Sequence, residues 1–590
     1  MHILGISCFY HDAAAVLLRD GHLVAAAEEE RFSRKKHDYG FPINAINFCL
    51  EHAGIDRREL DYVVFYEKPF VKFDRILITA MATFPRSAAV FRESMITWFK
   101  DKLWIKRTIQ DQLKTPSDRV LFVDHHQSHA ASAFFCSPFE EAATVTFDGV
   151  GEWATATIGH GRAAWANGGR NELRTISELR FPHSLGLLYS AFTAFLGFEV
   201  NDGEYKVMGM APYGQPRYVD KVSKVIRVED DGSFWLDMQY FCFHHSVDRT
   251  FNQKFVDLFG PPRDPKAEFA TSVTDPDVSA DSESARQNQY YADVAASVQK
   301  VSEDIALRMV RQAYEKTGLK KLCVAGGVAL NSVANGRIVQ EGPFDEVFIQ
   351  PAAGDSGGAL GAALYAYHVL LGKPRVFTME HAYWGSQYGP DQIRETLERT
   401  GLRYQMLEND DHLIDTVVDD LVAGRVIGWF QGRFEWGPRA LGNRSILADP
   451  RRAEMKNIVN SKIKFREPFR PFAPAILEER AIDYFAFDAT RQYPTRFMLL
   501  VLPIRQEQAD RIPAVNHMGT GRLQTVRPEW NPRYYEILRK FGQATGVPVI
   551  LNTSFNLRGE PIVTDPGHAV STFLRSGLDA LILGNFRVQK

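Results

Sequence analysis

Two stretches of the chain repeat one order of short apolar runs and polar turns, and this repeat constrains the fold more than any other feature. In the first stretch, the predicted strands cover residues 3–7, 13–18 and 22–27. In the second, they cover residues 143–147 and 153–158, and the glycines at 159–161 predict a further turn. Each stretch carries a polar turn after its first strand, Tyr10-His11-Asp12 or Asp148-Gly149. Short β-type runs bounded by Asp and Gly indicate hairpins, so the chain contains either two copies of one unit or two unrelated hairpins.

Two copies in one chain predict an internal duplication of the actin and sugar-kinase type, in which the two turns face each other across a phosphate-binding cleft. We therefore expect an α/β fold, with a duplicated domain over residues 1–375 and a second α/β domain over 385–590. The domain junction is predicted near residues 372–385, a helical insertion at 71–113 and a polar loop at 261–288. Further helices are predicted at 289–317 and 359–371, and strands at 322–325, 426–430, 474–477, 497–502 and 547–551.

Four residues in the first domain have the chemistry of metal ligands. His125 and His129 stand four residues apart, so on a helix both side chains lie on one face. Asp148 ends a strand just before glycine, and Asp355 lies in a glycine-rich run. Two imidazoles and two carboxylates suit a divalent transition metal, and no glutamate stands between the histidines as in a zinc protease. The alternatives are a helix start with hydrogen-bonded histidines and, for Asp355, a helix N-cap. We expect His126 to be packed and not to be a ligand.

Two glycine pairs predict nucleotide contacts. Gly326-Gly327 and Gly357-Gly358 each follow a β-type run and precede a predicted helix. Glycine there allows the backbone to approach phosphate or adenosine closely, and the following helix N-terminus favours an anion. An ordinary turn is the alternative for each pair.

The second domain contains stiff, cationic loops. Residues 437–445 place two arginines in a glycine-rich loop, and residues 464–474 add three cations among prolines and aromatics. Rigid loops that present Arg and Lys suit an anionic oxygen group such as phosphate. Residues 517–524 and 552–556 add hydroxyls and amides suited to the same pocket. A structural ion-pair network is the alternative.

Charge and cysteine content exclude several classes of protein. A net charge of -3 over 590 residues gives no electrostatic reason to expect nucleic acid or an anionic membrane as a partner. The five cysteines form no Cys-x-x-Cys pair, which argues against a zinc ribbon or a disulfide scaffold and favours a cytoplasmic location. The first apolar run has no basic leader, so we expect a strand and not a signal peptide. No apolar run approaches the length that spans a bilayer.

Taken together, the motifs resemble those of the O-carbamoyltransferases of the nodulation, cephem, tobramycin and ansamycin type. The shared motifs lie at residues 10–12, 124–129, 147–149, 203–214, 326–331, 354–358, 437–445, 465–474 and 552–556. They span nearly the whole chain in one order. The resemblance implies an N-terminal actin-like domain related to the universal tRNA threonylcarbamoyl transferase. It also implies a C-terminal domain related to the YrdC-like carbamoyl-activating fold.

The resemblance also implies a reaction. Carbamoyl phosphate and ATP, with Mg(II), react in the C-terminal domain to give a carbamoyl-adenylate. This intermediate passes inside the protein to the metal site, where a hydroxyl of a natural product or sugar acceptor attacks it and AMP leaves. The family metal is iron(II). The identity of the acceptor and the oligomeric state stay open.

By position, the resemblance assigns roles to individual residues of this chain. The metal ligands it implies are His125, His129, Asp148 and Asp355. His11 and Asp12 match the polar pair beside the acceptor, where one of them acts as general base. The nucleotide-binding positions it implies are Gly149, Gly326, Gly327 and Asn331. The carbamoyl phosphate clamp it implies consists of Arg439, Lys464 and Arg470, and further candidates are Lys206, Arg522 and Ser554.

Three other functions compete with this one. A tRNA-modifying enzyme of the threonylcarbamoyl class would share both domain types, but the mild acidity and the lack of a basic stripe argue against it. A plain actin-fold kinase leaves the arginine loops unexplained. A non-catalytic binding protein would have no use for the four potential metal ligands and the cation clamp.

Overall fold

The computed structural model describes residues 1–100, 102–165, 169–274 and 277–590. Its strands are β1 (His2–Ser7), β2 (Ala14–Arg19), β3 (His22–Glu28), β4 (Tyr62–Phe65), β5 (Val120–Phe122), β6 (Glu141–Phe147), β7 (Ala154–Arg162), β8 (Glu172–Arg180), β9 (Ile226–Val228), β10 (Phe234–Leu236), β11 (Lys321–Ala325), β12 (Glu346–Ile349), β13 (Tyr404–Met406), β14 (Ile427–Phe430), β15 (Arg444–Ala448), β16 (Ala473–Leu477), β17 (Leu500–Pro503), β18 (Thr520–Val526), β19 (Val549–Ser554), β20 (Ala580–Leu583) and β21 (Phe586–Gln589).

The α-helices are α1 (Glu30–Ser33), α2 (Ile43–Ala53), α3 (Pro69–Ala82), α4 (Ala88–Lys100), α5 (Ile105–Leu113), α6 (His125–Phe134), α7 (Leu185–Phe195), α8 (Glu204–Met210), α9 (Val219–Val222), α10 (Gln253–Phe259), α11 (Glu283–Thr317), α12 (Ser332–Glu341), α13 (Asp355–Tyr365), α14 (Pro390–Thr400), α15 (Asp410–Val422), α16 (Met455–Ile458), α17 (Ala481–Tyr484), α18 (Gln506–Ala509), α19 (Pro532–Thr545) and α20 (Pro566–Leu574). Within the described ranges, no helix is long and apolar enough to cross a membrane.

Two five-stranded sheets share one topology. In the first, β1, β2 and β3 pair antiparallel, while β4 and β5 add in parallel beyond β1, giving the order β3-β2-β1-β4-β5. In the second, the order β8-β7-β6-β11-β12 has the same sequence of antiparallel and parallel pairs. The α/β class and the predicted duplication are therefore confirmed.

Two helices pack against each other between these sheets. The helix α6 follows the first sheet but packs on strands of the second, whereas α13 follows the second sheet and packs on β1 and β2. The two helices approach closely at Gly361, where a Cβ atom would lie 1.7 Å from the backbone oxygen of Ser128. Only glycine allows this distance. The close contact brings the N-terminal ends of the two helices together.

A nine-stranded mixed sheet forms the core of the second half of the chain, in the order β13-β21-β20-β14-β15-β19-β16-β18-β17. One of its faces is covered by α15 and α19. The apolar pairs Leu413 and Val417 on α15, and Ile537 and Phe541 on α19, are each spaced four residues apart and fully buried, as an amphipathic helix requires. This sheet agrees with the predicted second α/β domain. Its kinship to the YrdC-like fold and the domain limits stay predictions.

Two predictions in the first half are wrong: the turn at residues 159–161 and the first residue of the helix at 289–317. Residues 159–161 lie inside β7 and form no turn. Gly161 is required there for packing, since a Cβ atom would lie 2.7 Å from the ring of Phe134. The helix predicted at 289–317 begins at Glu283, because the Ser282 hydroxyl accepts a hydrogen bond from the Ala285 N–H at 3.2 Å and caps it.

The helix predicted at 359–371 and the strand predicted at 497–502 also have different boundaries in the structure. The helix predicted at 359–371 begins at Asp355, so Gly357-Gly358 lies in its first turn and not in a loop. Gly354 takes the N-cap position, and the helix continues as a π-helical turn, Ala366–Leu370. The strand predicted at 497–502 is a 3₁₀ turn, Tyr493–Phe497, followed by β17.

The helical insertion is confirmed as α3, α4 and α5. Asp101 of that insertion, and Asp275 and Pro276 of the predicted polar loop, lie outside the described residues.

Candidate metal centre and cation pocket

The four predicted metal ligands come together from three elements. The first turn of α6 presents His125 and His129, the end of β6 presents Asp148, and the first turn of α13 presents Asp355. All four residues are buried, with exposed fractions of 1%, 0%, 6% and 1%. One ligand atom from each lies within 4.8 Å of one from every other.

The distances between these atoms suit a shared cation. The Nε2 atoms of His125 and His129 are 3.0 Å apart, and Asp148 Oδ2 lies 2.9 and 3.7 Å from them. Asp355 Oδ1 lies 3.6 and 3.7 Å from the same two nitrogens. Bonds of about 2.0–2.2 Å to one metal ion set neighbouring donors about 3–3.6 Å apart. Among the described residues, Asp355 Oδ1 has no hydrogen-bond partner, so the donor set fits a divalent metal.

The outer oxygen of each carboxylate is held by another group. Asp148 Oδ1 accepts a hydrogen bond from the Gly327 N–H at 3.0 Å, and Asp355 Oδ2 accepts one from the Tyr66 hydroxyl at 3.2 Å. These bonds turn the remaining oxygens towards the histidines, as the outer partners of metal ligands do. Burial lowers the pKa of His129, but the hydrogen bonds and charges of Asp148 and Asp355 outweigh burial and raise it to about 9.

His126 and Glu152 support the site without facing its centre. The two ring nitrogens of His126 lie 2.7 Å from Thr146 Oγ1 and 2.8 Å from the Ala154 carbonyl oxygen. Burial lowers the pKa of His126 to about 3, so the ring is neutral and packed. Glu152, which the sequence did not single out, accepts hydrogen bonds from the His125 N–H at 3.0 and 3.1 Å and fixes the start of α6.

His11 and Asp12 lie beside the metal ligands in a chain of polar contacts. His11 Nδ1 is 2.9 Å from Asp12 Oδ2, and His11 Nε2 is 4.0 Å from Asp355 Oδ2. Asp12 Oδ1 lies 2.7 Å from His37 Nδ1, and His37 Nε2 lies 3.3 Å from Asp202 Oδ1. Burial lowers the pKa of His11, but the charges of Asp355 and Asp12 outweigh burial and raise it to about 9. Asp12 has a φ of 49°, a strained backbone conformation of the kind found at functional sites.

The predicted nucleotide loop flanks the metal ligands. Gly149 follows Asp148, and no atom lies within 4 Å of a Cβ placed on it. Gly326 and Gly327 begin the 3₁₀ turn that leads to α12, next to Asp148. Asn331 is already engaged as the N-cap of α12, since its Oδ1 accepts from the Ala334 N–H at 3.1 Å. The three glycines thus line this side of the site, while Asn331 shapes the loop.

The predicted clamp residues lie in a group of cations on the second domain, in which Lys464 is buried and the arginines are half-buried. Lys464 is 3% exposed, and its ammonium donates to Ser554 Oγ at 3.2 Å and to Asn556 Oδ1 at 2.7 Å. Burial, followed by the charges of Arg466 and Arg470, holds the pKa of Lys464 well below its usual value. Burial, followed by the charges of neighbouring arginines, also holds the pKa of Arg522 well below its usual value.

Positive charge in this group exceeds negative charge. Glu467 lies 3.2 Å from Lys206 and 3.6 Å from Arg470. Among the described residues, no carboxylate lies within 4 Å of Arg439, Arg466, Arg522 or Lys464, and the Nε atoms of Arg439 and Arg522 have no hydrogen-bond partner. A structural ion-pair network would be neutral. An excess of half-buried guanidinium groups around a buried lysine instead suits an anion with several oxygens.

Segments of the first domain contact this cation group. Arg439 donates to the Leu330 carbonyl in the nucleotide loop at 3.3 Å. The motif at 203–214 supplies Lys206, and the Gly209 carbonyl oxygen lies 3.1 Å from His517 Nε2. The predicted nucleotide loop therefore lies between the cation group and the four candidate metal ligands.

Comparison with known proteins gives a consistent family. The family model described as "Carbamoyltransferase N-terminus" matches residues 2–364, and "Carbamoyltransferase C-terminus" matches residues 418–590. The chain is 46% identical to the uncharacterized protein sll1178 of Synechocystis sp., over 100% of this chain and 97% of that protein. It is 37% identical to nodulation protein NolNO of Sinorhizobium fredii, over 99% and 79%. It is 34% identical to the 3'-hydroxymethylcephem-O-carbamoyltransferase of Amycolatopsis lactamdurans, over 46% and 49%.

Proposed function

The chain belongs to the carbamoyltransferase family and is a transferase enzyme, and from that premise we propose that it is an ATP-dependent O-carbamoyltransferase. In the first half-reaction, water cleaves carbamoyl phosphate to carbamate and phosphate. A carbamate oxygen then attacks the α-phosphate of ATP and displaces pyrophosphate, which gives the carbamoyl-adenylate. In the second half-reaction, a hydroxyl of a small-molecule acceptor attacks the carbamoyl carbon of the adenylate, and AMP leaves.

The observation that carries this proposal is the excess of positive charge around the buried Lys464. Carbamoyl phosphate and the phosphates of ATP are polyanions, and bidentate guanidinium groups bind such oxygens strongly. Arg439, Arg470 and Arg522 with Lys464 supply these groups, and Ser554 and Asn556 hold the ammonium in place. A binding site for two anionic substrates explains why so many cations are retained around a buried lysine.

The transfer half-reaction belongs to the first domain. Of His11 and Asp12, one would take the proton of the acceptor hydroxyl as the carbamoyl group is transferred. The raised pKa keeps His11 mostly protonated near pH 7, so its Nε2, which lies on the side of Asp355, would act as the base only in the neutral form of the ring. Asp12 and His37 hold the ring of His11 in orientation. A divalent metal bound by His125, His129, Asp148 and Asp355, iron(II) by the family resemblance, would polarise a carbamoyl or phosphoryl oxygen. The name of the cephem relative, with its hydroxymethyl group, supports a hydroxyl acceptor.

Two sites in one chain suit an intermediate that water destroys. A carbamoyl group is a poor electrophile because its nitrogen donates into the carbonyl, so AMP serves as a well-bound leaving group. Transfer of the adenylate along the nucleotide loop would keep it from bulk water. The contact of Arg439 with Leu330 supports this route.

The first half-reaction is testable without knowledge of the acceptor. We expect the purified protein to catalyse exchange of labelled pyrophosphate into ATP only when carbamoyl phosphate and Mg(II) are present. Lys464→Ala should reduce this exchange by about 10–150-fold, since it leaves the substrate phosphates without a buried charge-assisted donor worth about 1.5–3 kcal/mol. Lys462→Ala, at an exposed position two residues away, is the matched control and should keep the activity. The proposal would be refuted if exchange were equally fast without carbamoyl phosphate, or if Lys464→Ala retained the wild-type rate of exchange.

A further inference from the structure

The helical insertion exposes an unusual concentration of large apolar side chains. Over the described residues, twenty such side chains are exposed, and eight of them lie between Phe70 and Trp104. Of these eight, the most exposed are Phe70 at 71%, Met81 at 71%, Phe84 at 72%, Phe99 at 62% and Ile96 at 61%. Single exposed apolar residues are ordinary, but a concentration of this kind marks a surface that something covers.

The polarity of α3 is inverted relative to a normal surface helix. Its inner side buries Lys72 and Arg75, at 3% and 7% exposed. Its outer side presents Phe70, Ile78 and Met81, which recur at the spacing of one helix face. Water would favour the opposite arrangement, so the outer side of α3 is built to face an apolar environment.

The helix α4 extends the same surface. It packs on α3 through Phe73 and Trp98, whose rings are 5.2 Å apart. Its outer side presents Ile96 and Phe99. We call the outer surface of the two helices, formed by Phe70, Ile78, Met81, Phe84, Ile96 and Phe99, the α3–α4 face. Side chains of this size together expose on the order of 600 Å², the upper end of the largest patch on an ordinary monomer, about 300–600 Å².

The charge around this face selects the kind of partner. Residues 68–114 contain ten Lys and Arg against four Asp and Glu, although the whole chain has a net charge of -3. Lys72 and Arg75 are buried on the inner side of α3, so eight of the ten cations remain to act around the face. Arg86 and Arg92 are exposed beside the face. A second copy packed face to face about a two-fold axis would oppose these cations to themselves. Asp74 and Glu93 are also exposed on these helices, but the cations outnumber the carboxylates. Apolar side chains in such a basic segment match the acyl boundary and the headgroups of an anionic bilayer.

We propose that the α3–α4 face binds the surface of a membrane that contains anionic lipids. The net charge of the whole chain predicted no such partner, because it averages this basic segment with the more acidic remainder. The inner side of α3, opposite this face, packs beside the candidate site: the ammonium of Lys72 lies 4.7 Å from the centre of the Tyr10 ring, and Tyr10 precedes His11.

Vesicle flotation tests the proposal with the full chain and without substrates, so it is independent of the proposed function. We expect the protein to float with vesicles of 70% phosphatidylcholine and 30% phosphatidylglycerol, and much less with pure phosphatidylcholine. Each basic residue near an anionic surface strengthens binding about five-fold. Arg86→Glu/Arg92→Glu should therefore weaken binding to the mixed vesicles by at least about 25-fold.

The contribution of the apolar side chains to vesicle binding is tested with two double variants, one on the α3–α4 face and one elsewhere. Met81→Ser/Phe84→Ser should abolish flotation, whereas Met406→Ser/Leu574→Ser, at residues 52% and 51% exposed elsewhere, should not change it. Thermal unfolding of each variant checks that the fold is retained. Three outcomes would overturn the proposal: no flotation of the wild-type protein, equal loss in both pairs, or a wild-type dimer in light scattering that Met81→Ser/Phe84→Ser converts to monomer while no vesicle binds. The last outcome would assign the face to a second copy of the chain.

Discussion

Replacing Tyr66 with Phe tests whether the four ligands form a metal site. The Tyr66 hydroxyl is buried and donates to Asp355 Oδ2 at 3.2 Å. Burial, followed by the charge of Asp355, holds the pKa of Tyr66 well above its usual value, so the hydroxyl stays protonated and donates. The change removes one oxygen atom and leaves the ring packed against Phe65 and His125.

The expected loss of metal affinity follows from the hydrogen bond that Tyr66 donates to the carboxylate of Asp355. A hydrogen bond to a charged group is worth about 1.5–3 kcal/mol, and outer partners of metal ligands contribute about 10–100-fold to metal affinity or activity. We therefore expect Tyr66→Phe to weaken iron(II) binding by about 10–100-fold, which is about 1.4–2.7 kcal/mol. The measurement is a competition titration against an iron(II) chelator of known affinity, under anaerobic conditions.

The control is Tyr291→Phe, which removes a buried hydroxyl that donates to the Pro261 carbonyl over the same 3.2 Å, far along the chain in α11. Tyr291→Phe should leave iron(II) affinity unchanged, and neither variant should alter the carbamoyl phosphate-dependent exchange. Unchanged affinity in Tyr66→Phe, or an equal loss in both variants, would refute the argument that Asp355 is oriented as a ligand.

Three further predictions concern the metal, the core and the acid stability. An iron(II)-selective chelator that spares Mg(II) should stop carbamoyl transfer and leave the exchange reaction intact, as measured by product formation and isotope exchange on one sample. Arg375→Ala should lower the free energy of unfolding by at least about 3 kcal/mol, because three buried carbonyls lose their donor. In urea titrations, the exposed Arg399→Ala should stay within about 0.5 kcal/mol of wild type. Asp202→Asn should cost about 2 kcal/mol at pH 7, because burial raises the Asp202 pKa but the His37 and Lys36 bonds outweigh burial and lower it to about 2. The stability that Asp202 contributes is present above pH 4 and is lost as the pH falls towards 2, so the two unfolding curves should converge there.

The sequence predicted those features whose signal is local. The strands of both repeated units, the helix that carries His125 and His129, and the position of Asp148 at a strand end each follow from the spacing of a few neighbouring residues. The glycines at 159–161 and 357–358 misled the prediction, because glycine allows close packing inside an element as well as turns between elements.

Long-range partners left no signal in the sequence. His37, Asp202 and Tyr66 are single polar residues, distant along the chain from the site residues they contact, and nothing in their neighbourhood marks them. The apolar exposure of α3 was hidden for a similar reason. Periodicity identifies an apolar side of a helix, but only the packing of Lys72 and Arg75 shows that this side faces outwards.

The central claim is the division of labour between the two sites, and one paired measurement tests it most directly. His129→Ala and Lys464→Ala are each assayed for carbamoyl phosphate-dependent exchange of pyrophosphate into ATP and for carbamoyl transfer to a hydroxyl acceptor. We expect His129→Ala to keep the exchange and lose transfer, and Lys464→Ala to lose both. Equal loss of both activities in His129→Ala, or transfer that persists without exchange in Lys464→Ala, would contradict it.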